Sequence, residues 1–348
     1  MRITLGEGNT PLVPSARIAP ALSFKLEFTN PTGSYKDRFL QRELSSYTSP
    51  PPFILATSSG NTGASLAAYA ARAGWRCLIC AHPEAPAGKV TQMRAHGATV
   101  VRIPGFTVDA GITAAVFADL ERWRSALGVP LVVSAYRYCP VGMAGAETIA
   151  GELAAQSAGA LPQHVFAPVG GGGLYVALVR GFARLGLAVK VHAVQPAGCA
   201  TVVEAWRHGR TQAVPLASTT RISGLSVPSD IDATLALEHL YGNGGLGLAV
   251  TDEAVWSAQQ WLLREEGIFA EPAGAAALAG WLEATAAGRI PAGERSVCLV
   301  TGYGAKDMAS LEAAAARVDS PLVAAADLSE FLRRQADPSS PHAANSPC

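Results

Sequence analysis

Short apolar runs alternate along this chain with Ala-rich stretches whose apolar positions recur at helical spacing. An apolar run between turn signals predicts a buried strand, and strands that alternate with helices predict a parallel sheet covered on both faces. Two series follow this rule. The first runs from PFILAT (52–57) through ASLAAYAARAG (64–74), WRCLICA (75–81) and KVTQMRAHG (89–97) to ATVVRIP (98–104). The second runs from HVFAPV (164–169) through LYVALVRGFARLG (174–186) and VKVHAVQP (189–196), a helix over 252–265, and RSVCLVTGYG (295–304). The expected fold class is α/β, with two open, mostly parallel three-layer αβα domains and a ligand cleft at the carboxyl ends of their strands. The larger domain is expected over 1–48 and 151–325, and the smaller, mobile one over 49–150. The last stretch, RRQADPSSPHAANSPC (333–348), has almost no large apolar side chain to offset the entropy of ordering, and predicts a disordered tail.

With 348 residues, 49% apolar and 16% charged, the chain can bury a core large enough for two domains. Lys plus Arg and Asp plus Glu each number 27, so no basic field is present to gather nucleic acid or an anionic membrane. A small-molecule substrate and a homodimer are expected instead. Residues 1–12 lack the basic start and apolar core of a secretory signal, and no apolar run approaches the about 18 residues of a membrane span, which points to the cytoplasm. Six scattered cysteines form no disulfide framework. Cys77 and Cys80 have CxxC spacing, but in a strand residues three apart face opposite sides, so they read as core thiols, and no metal is expected.

Four short motifs carry chemistry. Lys36, in NPTGSYKDRF (30–39), follows a Pro-Thr-Gly turn and is expected to project from the first turn of a helix; alone it would read as a surface lysine. SSGNTG (58–63) joins a strand to a helix, where free amides bind anions. Ser58, Ser59, Asn61 and Thr62 add donors suited to a carboxylate, whereas a plain helix cap needs only one such residue. In GGGG (Gly170, Gly171, Gly172, Gly173), the missing side chains let several N–H groups converge on a phosphate. The same loop type opens dinucleotide sites, but the GxGxxG spacing is not convincingly met and no acid closes VKVHAVQP, which leaves NAD a minor alternative. Thr301, in TGYG (301–304), places a hydroxyl where it can face a pyridine nitrogen without protonating it; the bland reading is a strand terminator. In order, these are a catalytic lysine, a carboxylate cradle, a phosphate cradle and a ring-nitrogen partner.

GEGNTPL (6–12), NPTGSYKDRF, SSGNTGASLAAYAARAG (58–74), PVGGGG (168–173), EPAGAAALAG (271–280) and TGYGAKD (301–307) together resemble the threonine synthase branch of the fold type II (tryptophan synthase β-like) enzymes that use pyridoxal 5'-phosphate. The likeness spans about residues 5–310. NPTGSYKDR and TGYGAKD are specific to that branch and its near relatives. EPAGA and the glycine loop are shared with serine and threonine dehydratases and with cysteine synthase-like enzymes. The resemblance implies Lys36 as the Schiff-base lysine, Asn61 at the ring hydroxyl, Gly170 to Gly173 with Leu174 around the phosphate, and Thr301 at the ring nitrogen. It also implies Ser58, Ser59 and Thr62 at the substrate carboxylate, Arg137 at the substrate, and a lyase of amino-acid metabolism that turns O-phosphohomoserine into threonine and phosphate.

Two segments depart from the branch. Where its members carry a stretch like IEGQKT, this chain reads YCPVGMAGAET (138–148), with Glu147 in place of a lysine, and a carboxylate there would repel a phosphate dianion. GGGG also replaces the usual GNAGN. A serine or threonine dehydratase, or a β-replacement enzyme of cysteine synthase type, is therefore the rival within the class. A nucleotide-dependent oxidoreductase and an inactive binding protein are the rivals outside it.

Overall fold

The structure is a computed structural model that describes residues 2–336 apart from 108, 158, 292 and 317. It divides into a first compact unit, Met1–Ser310, and a second, Leu311–Cys348. The main described element of the second unit is the helix Leu328–Gln335. The expected tail thus begins within a helix, and 337–348 lie outside the described residues.

The first unit holds two sheets. The larger contains β1 (Leu12–Pro14), β2 (Leu22–Leu26), β7 (His164–Pro168), β8 (Lys190–Pro196), β9 (Gly247–Val250) and β10 (Ser296–Val300), in the order β1-β2-β10-β7-β8-β9. All its pairings are parallel except β1 with β2. The smaller contains β3 (Ile54–Thr57), β4 (Cys77–Ala81), β5 (Thr99–Arg102) and β6 (Leu131–Val132), all parallel, in the order β5-β4-β3-β6.

The two-residue side-chain period of a strand explains the layering. Along β10, Val297 and Leu299 face one core while Cys298 and Val300 face another, which is built with the helices Asp252–Glu265 and Pro272–Ala286. Along β3, Ile54 and Ala56 face the first of these cores, whereas Leu55 faces a third that contains Leu120 of the helix Ala110–Leu127. Cys77 and Cys80 follow the same rule: both are free, buried and on opposite faces of β4. Among the described residues no group of His, Cys, Asp or Glu is disposed to hold a metal ion, and no helix is long and apolar enough to cross a membrane.

Strand order creates two crevices. From β3 the chain moves outward to β4 and β5 on one side, then returns to place β6 on the other. From β7 it moves to β8 and β9, then returns to place β10 on the opposite side of β7. Where order reverses in this way, the loops leaving the two central strands diverge and leave a crevice at their carboxyl ends. The loops after β3 and β6 are 58–60 and 133–139; those after β7 and β10 are 169–172 and 301–303.

Candidate active site

Lys36 is the first residue of the helix Lys36–Ser45, and its neighbours hold the turn that presents it. Gly33 has φ +85°, and a Cβ there would sit 2.8 Å from Lys306 Cε, so the turn requires glycine on both counts. Tyr35 N–H donates to Thr301 O at 3.3 Å, Tyr303 N–H donates to Gly33 O at 3.0 Å, and Ser34 pairs with Gly302, which stitches the turn to the end of β10. The Asp37 carboxylate accepts from Thr32 N at 2.7 Å and from the hydroxyls of Thr32 and Ser65 at 2.5 Å each; burial nonetheless pushes its carboxyl above the usual range. Arg38 spreads its guanidinium over Glu27 (2.8 Å twice) and Glu152 (2.6 and 2.8 Å). Burial would raise the Glu152 carboxyl, but hydrogen bonds from Arg38 and Lys25 outweigh it and hold it down to about 2. Asp37 and Arg38 are thus spent on anchoring, and Lys36 Nζ is left to reach across to Ser134 Oγ, 2.6 Å away.

Ser134 lies just beyond β6 and Thr62 just beyond β3, on the two sides of one crevice. Thr62 Oγ1 donates to Ser134 Oγ at 3.0 Å, so Ser134 accepts from both Lys36 and Thr62 and keeps its own proton for another partner. No sequence motif marks Ser134. The other hydroxyls of SSGNTG do local work: Ser58 Oγ accepts from the amides of Gly60 (3.1 Å) and Gly63 (2.8 Å), and Ser59 Oγ accepts from His82 N at 2.6 Å. Asn61 Nδ2 donates to Glu271 Oε1 at 2.6 Å, across to the start of the helix Pro272–Ala286.

At the second crevice, Gly170 to Gly173 lead from β7 into the helix Gly173–Arg184. A Cβ on Gly170 would meet Gly224 O at 2.9 Å. Gly172, at φ +102°, has Asp232 O 2.6 Å from the same position, so both must stay bare backbone. Leu174 is buried in the first turn. Gly173 adjoins the first crevice, because its Cβ would lie 3.3 Å from Ser134 O and 3.1 Å from Asp232 Oδ2. Asp232, buried beside the glycine loop, accepts from the amides of Tyr136 (2.7 Å) and Arg137 (3.1 Å); burial raises its carboxyl against these bonds. Sequence reading had no signal for this acid. Thr301 directly follows β10, 5% exposed.

Residues 3–302 match the sequence profile of the family described as "Pyridoxal-phosphate dependent enzyme". This chain belongs to that family. Among its relatives is the threonine synthase of Methanocaldococcus jannaschii, 33% identical over 320 residues, which covers 88% of this chain and 76% of that one. The threonine synthase of Mycobacterium tuberculosis is 34% identical over 319 residues, covering 88% and 84%. Among solved structures, the T.th. threonine deaminase superposes with a TM-score of 0.73 at 29% identity, over 87% of this chain and 94% of that one. Maize serine racemase, at 20% identity and TM-score 0.75 over 91% and 94%, shares the fold. The fold is that of the fold type II enzymes, with two αβα layer sets built on the two sheets, and the threonine synthase-like resemblance holds.

The side chains fit the family's cofactor. Four buried side-chain polar atoms among the described residues lack a hydrogen-bond partner, and two of them belong to the motifs above: Ser34 Oγ, two residues before Lys36 and paired with Gly302, and Asn61 Oδ1, in SSGNTG. Unpartnered polar atoms in a dry interior are costly unless a ligand satisfies them. A glycine loop that excludes side chains completes a cradle for a phosphate.

The structure corrects one expectation and qualifies another. Glu147 does not oppose a substrate phosphate: its carboxylate accepts from Tyr136 Oη at 2.8 Å and pairs with Arg184 Nε at 3.1 Å, 7% exposed. Its charge is already neutralised inside the fold. Arg137 is exposed, with its guanidinium 5.8 Å from the centre of the Tyr138 ring, so only its amide joins the cluster through Asp232.

Proposed function

We propose that this chain converts O-phosphohomoserine to threonine and inorganic phosphate, as a pyridoxal 5'-phosphate-dependent lyase of the threonine synthase type. The observation that carries the reading is the likeness to threonine synthases over 88% of the chain, joined to a Lys36 amine hydrogen-bonded to Ser134 at the crevice of the smaller sheet. Bound pyridoxal phosphate would supply the electron sink for chemistry at the substrate's carbons. Gly170, Gly171, Gly172 and Gly173 with Leu174 would hold its phosphate, Asn61 its ring hydroxyl, and Thr301 its ring nitrogen through a neutral hydroxyl. Lys36 is the group that takes and returns protons, and Ser134, hydrogen-bonded to it at 2.6 Å, keeps the amine oriented. As substrate enters, Ser58, Ser59 and Thr62 would exchange the bonds they make here for its carboxylate, with Arg137 at the distal group. The lobe 49–150 carries the SSGNTG loop and Ser134, and would move against the body formed by 1–48 and 151–325 as substrate enters. A cytoplasmic homodimer completes the reading, and light scattering on the purified chain tests the assembly.

A dehydratase acting on serine or threonine is the second reading. The 29% identity to the T.th. threonine deaminase over 87% of this chain favours it. Two measurements decide between them. Borohydride reduction of the cofactor-loaded protein followed by peptide mapping should place the label on Lys36; a label on another lysine overturns the site. Phosphate release from O-phosphohomoserine, measured beside 2-oxoacid and ammonia release from serine and threonine, should favour the phosphorylated substrate; oxoacid formation alone makes it a dehydratase.

A further inference from the structure

Glu271 has no role in the reading above, yet it is one of the most completely buried charges in the first unit, at 1% exposure. It occupies the N-cap position of the helix Pro272–Ala286, but its side chain makes no capping bond to that helix. A purely local acid at a helix start would turn onto its own free amides. Glu271 instead crosses to the other sheet's lobe, where its Oε1 accepts from Asn61 Nδ2 at 2.6 Å. Its Oε2 lies 2.9 Å from Nζ of Lys89, itself 0% exposed, in an ion pair without hydrogen-bond alignment; Lys89 also donates to Ser223 Oγ at 3.2 Å. Gly302 makes room for the carboxylate, since a Cβ there would sit 2.0 Å from Oε1. A carboxylate can only accept, so the contact decides which end of the Asn61 carboxamide is nitrogen. One N–H is spent on Glu271, while the other N–H and the buried, unpartnered Oδ1 remain for a ligand.

We propose that Glu271, its charge held by Lys89, is a positioning residue that orients the Asn61 carboxamide toward the ring hydroxyl of bound pyridoxal phosphate. The inference rests on the cofactor site read above. Glu271→Gln tests it in the full chain loaded with pyridoxal phosphate, because glutamine can present an N–H where the carboxylate only accepted. Lys89→Met/Glu271→Gln is the companion variant, which avoids stranding a buried lysine. In both, the visible absorbance band of the cofactor and its pH titration should shift, and cofactor dissociation should become about ten- to hundredfold easier. Asn61→Ala should produce the same spectral shift, and adding Glu271→Gln to it should cause little further change, whereas a merely structural acid would add its effect independently. Parental spectrum and affinity in a folded variant, or full additivity with Asn61→Ala, overturns the proposal. Failure of the unmodified chain to take up pyridoxal phosphate overturns the cofactor reading itself, and is told apart because it needs no variant.

Discussion

A methyl group at position 302 has no room. In Gly302→Ala the new Cβ would lie 2.0 Å from Glu271 Oε1, 2.5 Å from its Cδ and 2.9 Å from its Cγ. Non-bonded heavy atoms settle near about 3.5 Å, so the carboxylate must withdraw by roughly 1.5 Å. That movement breaks the 2.6 Å bond from Asn61 and strains the 2.9 Å pairing with Lys89, which is fully buried and has no water to turn to. Gly302 is not in the left-handed region, so the effect is steric rather than conformational. Overpacking costs about 1–3 kcal/mol and a lost charge-assisted hydrogen bond about 1.5–3 kcal/mol, which together come to about 2.5–6 kcal/mol. For a protein of this size that lowers the melting temperature by about 3–8 °C. Differential scanning calorimetry of the cofactor-free protein measures it, and an absorbance titration with pyridoxal phosphate should show weakened uptake. Gly151→Ala is the control: it lies in the helix Thr148–Gln156 with nothing within 4 Å of its Cβ, and should leave the melting temperature unchanged or slightly raised. If Gly302→Ala melts with its parent and binds cofactor normally, Glu271 is not held where described and the argument built on it fails.

Gly172→Ala meets both a φ of +102° and Asp232 O at 2.6 Å, so it should fold but elute from gel filtration without cofactor; retention of the yellow colour would move the phosphate cradle elsewhere. Glu147→Lys removes the partner of Tyr136 and Arg184 and adds a cation near Arg180, which stacks 4.4 Å from the Tyr136 ring; leaving the buried Tyr136 hydroxyl unpaired should destabilise by about 1–3 kcal/mol, with no gain on O-phosphohomoserine. A rise in kcat/KM on that substrate would show that the carboxylate faces the pocket after all. At the amino ends of the strands, Leu246 N–H donates to His192 Nδ1, which leaves His192 Nε2–H to donate to His164 Nδ1 at 2.9 Å and His164 Nε2–H to meet Glu294. Burial, reinforced by the charges of His164, Lys190 and Arg289, holds His192 down to about 3. The unfolded chain therefore binds the extra proton first as pH falls. The stability is fully present above about pH 6.5, and near pH 5 about 2 kcal/mol of it is gone. Melting curves at pH 7.5 and pH 5 should fall less steeply in His192→Gln, and an unchanged slope would refute the neutral histidine.

What could be read from the chain alone was local. A strand, a turn and a helix start within a dozen residues, so the settings of Lys36, SSGNTG, GGGG and Thr301 follow from periodicity and from the positions where only glycine fits. The alternation of strands and helices likewise reflects which faces must be buried, and it holds from β3 through β10. The partnerships between segments could not be read, because they depend on which strand lies beside which. Ser134 follows a two-residue strand with no motif, and reaches Lys36 only because β6 pairs with β3 on the side away from β4. Asp232 lies in an irregular loop and matters because its carboxylate binds amides nearly a hundred residues away. Glu147 reads as a repulsive charge in one dimension and as a neutralised one in three, since Arg184 and Tyr136 arrive from other elements. Backbone preferences act between near neighbours and leave their mark in sequence, whereas a charge takes its meaning from whatever the tertiary fold packs against it.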